Sequence, residues 1–496
     1  MACPAYKYND VKFICKTAMI LHCAPITNTS WLRTPLPVFS ILFRNFTPPT
    51  HYFASLSPSK VDNECNDFIP WLERKAGSEI SSLLAIGTSS FGRSLYASDY
   101  IRAGDCILKV PYSVQMAPDN LPPEISCLLG DKVGNVAKVA LLILLEQMLA
   151  RNSEWEPYIS RLPKAEKMHS TVFWSNDELE MIQPSALYRE TLKQKTQIGK
   201  DFTAIKATFD GFHYGVQDIT LQEFAYAYGL GFCSKLPQSA SSPCHHCNYI
   251  SCVGKLKGCI LDFLNHDGTS EAHVLSDELK QHSEVLADRD YAPGDQILIR
   301  YGRFSNATLL LDFGFTVPHN IYDQVLVEFS IPHDDQFNAW KLGLLERYRV
   351  RNTKEINDFT SEGNIFRIKE VRAGSKKGKG IPQALRAFGR IVSSNSQQEI
   401  NAMVKEAAQN DGRLARYPLK NRIREIEAHQ FLLVKMAQLI EEHKAHIKLL
   451  EPTPPYLQEN SVRRRKFAKD LLDGELRVLT SASAWLKNYC LTLSGQ

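Results

Sequence analysis

The sequence predicts an α+β protein in which a β-rich unit, interrupted by a helical insertion, is followed by a separate helical domain. Three observations favour this class. Short strand-like runs separated by glycine occupy residues 94–110. A nearly all-apolar segment at Val136–Ala150 is typical of a buried helix. Beyond residue 333, apolar residues recur every three or four positions with Glu and Lys on the opposite face, as in amphipathic helices.

The chain is long enough for several domains with full cores. Its 496 residues are roughly three to four times the usual single-domain length. Hydrophobic residues make up 44% and charged residues 23%, a composition that argues against a disordered or fibrous protein. The longest apolar stretch, Val139–Leu145, has seven residues, whereas a membrane-spanning helix needs about 20. We therefore expect no membrane-spanning segment.

Positive charge is concentrated near the start of the chain. Residues 1–61 carry a net charge of +5, which leaves the rest at −1 because the total is +4. This start is rich in Ser and Thr, as in an organelle transit peptide, and an ordinary disordered tail is the alternative. The nearly neutral body gives no reason to expect nucleic acid as a partner. Twelve cysteines in so long a chain predict reduced thiols.

The remaining elements follow in order along the chain. A short amphipathic helix is expected near residues 68–83, before the first strands. A further helix is predicted at Leu221–Phe232, and a loop rich in Ser, Pro and Cys follows it. Later strands are predicted at Cys259–Leu264, Val285–Asp288, Gln296–Tyr301 and Gln324–Phe329. A connection near Ile331–Gln336 leads to the helical domain, where Ile423 and Leu432 belong to one predicted apolar helix face.

Short motifs in the β-rich unit carry the chemical information. The sequence contains no phosphate-binding glycine loop and no Ser-His-Asp order that would indicate a familiar hydrolase. It does contain an ordered set of segments: Gly92-Arg93-Ser94-Leu95-Tyr96-Ala97, Asp262-Phe263-Leu264-Asn265-His266, Gly294 to Gly302 with Tyr301, Ser305-Asn306, and Asp312-Phe313-Gly314-Phe315. This ordered set resembles the plant Rubisco large-subunit lysine methyltransferase class of SET-domain enzymes.

The resemblance reaches from about residue 68 to about residue 490. Gly104–Pro111 looks like the second segment of that family's opening motif. Trp155-Glu156-Pro157-Tyr158 and Phe173-Trp174 are similar to its helical insertion. Near the end of the chain, Arg463 and Gly474-Glu475 resemble the helical domain with which these enzymes dock protein substrates.

The resemblance implies a division of the chain into three parts. Residues 1–60 would be a plastid transit peptide or disordered leader. Residues 61–332 would form a SET-domain β-fold with a helical insertion at about 130–236 and a Cys-rich loop at 238–258. Residues 333–496 would form an all-α domain similar to the Rubisco substrate-binding domain. We therefore expect a monomeric α+β protein of the chloroplast stroma.

The resemblance also implies S-adenosyl-L-methionine as the methyl donor and a protein lysine as the acceptor, on Rubisco large subunit or another stromal enzyme. Tyr301 would be the catalytic tyrosine, and Phe313 would contact the substrate. The expected cofactor-binding residues are Gly92, Arg93, Ser94, Leu95, Ser234, Lys235, Asp262, Asn265, His266, Tyr301 and Phe315. Taken singly, Tyr301 could be a strand-end tyrosine, Asp262 a turn residue and Phe315 a core residue.

Three residues depart from the family pattern. Ser94 replaces a glycine and adds a Cβ where backbone is expected to approach the cofactor. Lys235 stands where Arg is common, so a planar fork becomes a point charge. Phe313 stands where Tyr is frequent, and the missing hydroxyl could alter how many methyl groups are added. These departures leave a catalytically silent SET-like docking or scaffold protein as the alternative.

Two further features have competing interpretations. Cys244, Cys247, Cys252 and Cys259 have a spacing compatible with tetrahedral zinc, but only one closely spaced pair exists, so we favour a free-thiol loop and predict no metal. The basic runs at 376–379 and 463–466 are short, and solvated faces are the usual explanation for such runs. A zinc-dependent nucleic-acid adaptor is a third hypothesis that depends on both features.

Overall fold

The computed structural model describes residues 65, 67–90, 92–210, 216–233, 239–240, 260–277, 279–332, 334–347, 365–375, 377–409, 417–451 and 457–495. All of them belong to one compact unit, Ser57–Gln496. The expected leader at 1–60 lies outside the described residues, as do Ser234, Lys235 and the four cysteines of the possible zinc site.

The β-structure consists of small sheets. Its strands are β1 (Leu84–Ser89), β2 (Gly92–Ala97), β3 (Cys106–Pro111), β4 (Ser239–Ala240), β5 (Asn265–His266), β6 (Val274–Asp277), β7 (His282–Leu286), β8 (Leu298–Ile299), β9 (Gln324–Glu328) and β10 (Ile365–Lys369). β1 and β2 form an antiparallel hairpin, and β3, β7, β6 and β4 form one sheet in that order. β5 pairs in parallel with β8, and β9 pairs antiparallel with β10.

The helices surround these sheets and make up most of the C-terminal part. They are α1 (Phe68–Ala76), α2 (Pro123–Leu129), α3 (Asn135–Leu149), α4 (Glu156–Ile159), α5 (Asn176–Glu180), α6 (Ala186–Thr208), α7 (Leu221–Cys233), α8 (Asn306–Thr308), α9 (Asn338–Arg347), α10 (Gln383–Val392), α11 (Gln397–Gln409), α12 (Arg422–Leu449) and α13 (Glu459–Ser494). A π-helical turn at Leu309–Phe313 continues α8. Among the described residues, no helix combines the length and apolar character needed to cross a membrane.

The two apolar segments predicted to be helical are helices. α3 is buried along most of its length, including Val139, Leu141 and Ile143, because apolar residues occur on all its sides. α7 extends one residue beyond the predicted range. The two helices pack against each other inside the insertion, and their buried residues belong to the same apolar core as those of β2 and β3.

The prediction of a strand at Cys259–Leu264 is wrong. Residues Ile260–Phe263 form a turn of 3₁₀-helix, and the N–H of Leu264 donates to the carbonyl of Leu261 over 3.2 Å. Ile260, Leu261, Phe263 and Leu264 are all buried. A short continuous apolar run can be a strand or a buried helical turn, and periodicity alone does not separate the two.

The described residues of the C-terminal part are mainly helical and include one strand, β10, where an all-α domain was expected. Its partner β9 lies before residue 332, and Val325, Val327 and Phe329 pack in the same apolar cluster as Leu385 and Leu432 of the C-terminal helices. Packing therefore groups residues 324–331 with the C-terminal helices. The expected domain connection near 331–336 therefore begins within this cluster. The sequence did not indicate this, because the pairing of β9 with β10 is a long-range contact that local sequence does not reveal.

The predicted apolar face of α12 is only partly buried. Leu432 and Met436 are fully buried, whereas Ile423, in the first turn, is 68% exposed. The helix begins at Arg422. The side chain of Asn421 caps it by accepting from the N–H groups of Ile423 and Arg424. The first turn therefore extends past the core that the middle of the helix covers.

A separate apolar cluster joins the insertion to the C-terminal helices. Its buried members come from the insertion, the π-helical turn, the end of α12 and α13; they are Trp174, Leu179, Ile182, Leu187, Leu310, Leu311, Leu450, Ala468, Leu471 and Leu472. Polar contacts accompany it, since Glu475 of α13 accepts from the Ser185 hydroxyl over 2.8 Å and contacts His443 of α12 over 3.0 Å. The last helix of the chain is thus packed directly against the β-rich unit.

Candidate active site

The centre of the candidate site is the parallel pairing of β5 with β8. Asn265 lies opposite Leu298 and His266 opposite Ile299, and the N–H of Asp267 donates to the carbonyl of Ile299 over 2.9 Å. Each strand has only two residues. This short pairing brings the Asn-His segment beside β8, which ends two residues before Tyr301.

Tyr301 is held at both its backbone and its hydroxyl group. Its N–H donates to Nδ1 of His266 over 3.1 Å, and its hydroxyl donates to the carbonyl of Leu264 over 2.6 Å. Burial lowers the pKa of His266 to about 4, so its ring is neutral near pH 7 and Nδ1 is free to accept. The phenol oxygen keeps lone pairs that can accept a further hydrogen bond.

Aromatic rings form a continuous group around Tyr301. Its ring centroid lies 4.9 Å from that of Phe313, 5.2 Å from His266 and 6.2 Å from Phe315. Phe315 lies 5.7 Å from His266, and Phe304 stacks on Phe313 at 6.0 Å. We call His266, Tyr301, Phe304, Phe313 and Phe315 the aromatic group. Aromatic faces are suited to surround a cation or an alkyl amine.

Phe304 was missed by the sequence analysis. It follows Tyr301-Gly302 by two residues, and a Cβ at Gly302 would lie 2.5 Å from the Phe304 ring. A side chain at position 302 would therefore displace the Phe304 ring, which stacks on Phe313. An aromatic residue close to Tyr301 in the sequence was the available signal.

The opening glycine motif lies on β2 and meets the centre through Asn265. Its side-chain amide donates to the carbonyl of Arg93 over 3.2 Å. The Arg93 guanidinium in turn donates to the carbonyl of Arg161 in the insertion over 2.7 Å. Gly92 begins the strand with a φ of 99°, a backbone conformation that favours glycine. Two motifs separated by more than 150 residues are thus joined by a single side chain.

Ser94 and Leu95 are both fully buried. The Ser94 hydroxyl accepts from the side-chain amide of Gln296 over 2.6 Å, so it binds the segment that leads into β8. Leu95 packs in the main apolar core, and its carbonyl accepts from the N–H of Ile297 over 2.8 Å. These contacts attach β2 to the segment before β8. Because both side chains are buried in them, Ser94 and Leu95 could contact a ligand only through their backbone atoms.

Asp262 lies on the exposed side of the 3₁₀ turn. Its carboxylate accepts from the hydroxyl of Tyr158 over 2.6 Å. Tyr158 belongs to α4, in the Trp-Glu-Pro-Tyr segment of the insertion. The contact links the insertion to the residues just before Asn265.

The basic run at 463–466 is largely committed to internal contacts. Arg464 pairs with Glu178 over 2.6 Å, and Arg465 donates to the carbonyl of Leu450 over 2.9 Å. Carbonyls in the last turn of a helix such as α12 lack intrahelical partners, which Arg465 supplies. Only Arg463 and Lys466 of this run face solvent with more than 40% of the side chain exposed. Within the described part of the chain, no group of His, Cys, Asp or Glu is arranged to hold a metal.

Comparison with known families and structures gives a consistent result. The SET domain family profile matches residues 92–302. The chain is 26% identical over 313 residues to a chloroplastic ribulose-1,5-bisphosphate carboxylase/oxygenase large-subunit N-methyltransferase of Nicotiana tabacum, covering 59% of this chain and 60% of that one. It is 24% identical over 316 residues to a chloroplastic fructose-bisphosphate aldolase-lysine N-methyltransferase of Arabidopsis thaliana, covering 60% and 61%. The matches therefore span less than two thirds of either relative.

A solved structure of Rubisco LSMT bound to AdoMet superposes with a TM-score of 0.65 at 20% identity, covering 89% of this chain and 94% of that one. At this identity the likeness concerns the fold. The prediction of an α+β SET-domain fold with a helical insertion and a helical C-terminal part is confirmed. Residues 92–302 thus form a SET domain, and the chain is similar in sequence to chloroplastic lysine methyltransferases and in fold to Rubisco LSMT.

Proposed function

We propose that this protein is an S-adenosyl-L-methionine-dependent protein-lysine N-methyltransferase. The observation that carries the proposal is the convergence of Tyr301, His266 and Asn265, which are joined by the Tyr301 N–H to His266 Nδ1 bond and by the β5–β8 pairing. The names of the relatives, a Rubisco and an aldolase-lysine N-methyltransferase, support the same reaction class.

The residues present suit the proposed donor. When bound, S-adenosyl-L-methionine supplies a methyl group attached to a sulfonium cation. Asn265 offers an amide, and the aromatic group offers faces that attract cations. We assign the donor site to these residues together with the backbone of Gly92 to Leu95, Asp262, Ser234 and Lys235. Phe315, 5.7 Å from His266, is placed by this assignment beside the donor.

The acceptor lysine must be uncharged, because an ammonium group has no lone pair to attack with. Free lysine has a pKa near 10.4, so its deprotonation at pH 7.4 costs roughly 4 kcal/mol. The sulfonium cation of the bound donor repels a second positive charge, and burial of the amine beside Phe313 and Phe304 removes it from water, so both effects disfavour the ammonium form and lower this cost. The Tyr301 hydroxyl donates to Leu264 and therefore presents its oxygen as an acceptor for one N–H of the amine. This contact would orient the amine lone pair toward the methyl group.

We further propose a plastid protein as the substrate and the chloroplast stroma as the location, with residues 1–60 as the transit peptide. The support is the basic, Ser/Thr-rich start of the sequence and the chloroplastic relatives. Rubisco large subunit and stromal aldolase are the first substrates to test.

The experiment uses the chain without residues 1–60, labelled donor and a plastid stromal extract. Transfer should appear on discrete proteins, and mass spectrometry should locate the methyl groups on lysine. Tyr301→Phe serves as the matched negative variant. If calorimetry demonstrates donor binding and no protein is labelled, the proposed enzymatic activity is refuted.

A catalytically silent docking protein remains the second candidate, because Lys235 and Phe313 depart from the family pattern. Ser94 gives it little support, since the Ser94 hydroxyl is fully buried against Gln296. Calorimetry separates the two candidates. A docking protein would show no measurable affinity for S-adenosyl-L-methionine.

A further inference from the structure

We propose that Ser170 is a positioning residue of the methyl-transfer site and that the C-terminal helix α13 supports it through Arg464. The inference rests on the proposed function and adds a role for the insertion and α13 in arranging the aromatic group. It is carried by a chain of contacts from α13 to the two phenylalanines beside Tyr301.

The first contact joins Ser170 to the π-helical turn. Ser170 is 4% exposed, and its hydroxyl donates to the carbonyl of Leu311 over 2.5 Å. This carbonyl lies near the end of the turn, where helical carbonyls lack a following N–H partner. A buried carbonyl without a partner is costly, so the Ser170 hydroxyl selects one conformation of the turn. Phe313 is the last residue of that turn.

The second contact is backbone against backbone. Gly314 has a φ of 76°, and a Cβ on it would lie 2.8 Å from the backbone nitrogen of Ser170 and 3.1 Å from the carbonyl carbon of His169. The backbone at 169–170 therefore lies directly against the residue between Phe313 and Phe315. Gly314 is the single residue between Phe313 and Phe315. A shift of the backbone at 169–170 would therefore displace Gly314 and move both phenylalanine rings relative to Tyr301.

Hydrogen bonds from Trp174 and Arg464 hold the insertion backbone at residues 168–173. The indole N–H of Trp174 donates to the carbonyl of His169 over 2.9 Å. From α13, the Arg464 guanidinium donates to the carbonyls of Met168 and Phe173 over 3.2 and 3.3 Å, and it pairs with Glu178. Planar, multiple-donor recognition of this kind requires arginine, since a lysine is a point charge. α13 is thereby connected to the aromatic group through residues 168–174.

The test measures turnover and donor binding in the chain without residues 1–60. Ser170→Ala removes the hydroxyl and leaves the backbone contact at Gly314 intact. The matched control is Ser276→Ala, because Ser276 is 6% exposed and its hydroxyl contacts Ser283 in the sheet. We expect Ser170→Ala to lower the rate at saturating donor about tenfold, with donor affinity within about twofold of wild type, because misplaced groups slow chemistry more than binding. Ser276→Ala should keep the wild-type rate, and Ser170→Thr should recover most of it.

A second readout requires no turnover. The fluorine-19 resonance of a 3-fluorotyrosine label at Tyr301 should shift in Ser170→Ala and remain in place in Ser276→Ala. A wild-type protein that labels no substrate would refute the proposed function alone, and the resonance would still test the placement of the aromatic group. Full turnover in Ser170→Ala, or a resonance identical to wild type, would overturn the role of Ser170.

Discussion

The backbone N–H of Tyr301 donates a hydrogen bond to Nδ1 of His266 over 3.1 Å, and their rings lie 5.2 Å apart. The bond joins the last residue of β5 to a residue two positions after β8, and these two strands pair over only two residues each. Because burial keeps His266 neutral, the acceptor at Nδ1 is present across the physiological pH range. The orientation of the proposed catalytic tyrosine therefore depends on a histidine 35 residues earlier in the chain.

The Tyr301 hydroxyl should matter for turnover and little for donor affinity. In Tyr301→Phe the oxygen that orients the amine is absent, and we expect the rate to fall by about 10²–10³-fold. Transfer of labelled methyl groups and calorimetry with S-adenosyl-L-methionine measure the two quantities. The control is Tyr100→Phe, since Tyr100 is 51% exposed and bonds Asp290 away from the site. Equal rates in Tyr301→Phe and wild type would contradict the assignment.

Restoring the family glycine at position 94 should weaken the protein without tightening donor binding. Ser94→Gly leaves the amide of the half-buried Gln296 without its 2.6 Å acceptor. A fully buried unsatisfied donor costs about 1–3 kcal/mol. Because water can reach part of this amide, the free energy of unfolding should fall by about 1 kcal/mol in urea denaturation, the lower end of that range. A clear gain in donor affinity in Ser94→Gly would show instead that the serine side chain obstructs the donor site.

His266 should make unfolding depend on pH. Its pKa is lowered by burial from 6.5 to about 4, so the unfolded chain binds a proton at a higher pH than the folded chain. The stability that this neutral histidine contributes is complete above pH 6.5 and is lost as the pH falls toward 4, a change of about 3 kcal/mol. His266→Asn keeps an acceptor and should remove this part of the pH dependence. The exposed His319→Asn is the control, and an unchanged slope in His266→Asn would contradict the shift.

Asp323 should make the free energy of unfolding depend on pH in the opposite direction to His266. It is 4% exposed, and burial raises its pKa from 3.8 to about 7, against the opposing hydrogen bond from the N–H of Asn306 and the charge of Arg477. The folded chain thus holds the proton more tightly than the unfolded chain. Its contribution is complete below pH 3.8 and is lost as the pH rises through about 7, a change of about 4 kcal/mol.

Urea unfolding of Asp323→Asn between pH 4 and 8 measures this contribution. The difference in stability between the variant and wild type should change with pH across this range, whereas exposed Asp131→Asn should run parallel to wild type. α13 passes close to Asp323, since a Cβ on Gly474 would lie 2.1 Å from Oδ2 of Asp323. The pH-dependent change in hydrogen-exchange protection should therefore be largest where α13 meets the β-rich unit. Hydrogen exchange can locate it.

Gly314→Ala should destabilise the protein more than an ordinary glycine substitution. The alanine would have a left-handed φ of 76° and a Cβ 2.8 Å from backbone. Left-handed backbone alone costs about 1–2 kcal/mol, and overpacking against fixed backbone adds about 1–3 kcal/mol. Gly77→Ala is the control, because Gly77 has a φ of 65° with no atom within 4 Å of a Cβ. Equal losses in thermal unfolding would show that the contact with Ser170 is unimportant.

Local sequence predicted the elements that depend on composition and periodicity. α3 and α7 were predicted because their apolar residues are continuous, and β2 and β3 lie within the predicted strand region at 94–110, where glycines separate the runs. β1, at Leu84–Ser89, was not predicted. The 3₁₀ turn at Ile260–Phe263 was taken for a strand, since four apolar residues in a short run fit either structure. The pairing of β9 with β10 was missed because its partners are separated by about 40 residues of sequence.

By itself the sequence determined the order of the motifs, and the resemblance of that ordered set to a SET-domain class implied the fold and the proposal that Tyr301, Asn265 and His266 act together. Only the tertiary structure decided that Phe304 joins the aromatic group, that Ser94 bonds Gln296 and that Ser170 holds the turn beside Phe313. Those contacts join residues from 9 to 202 positions apart. Their geometry is set by how separate elements pack, and no local pattern in the chain records it.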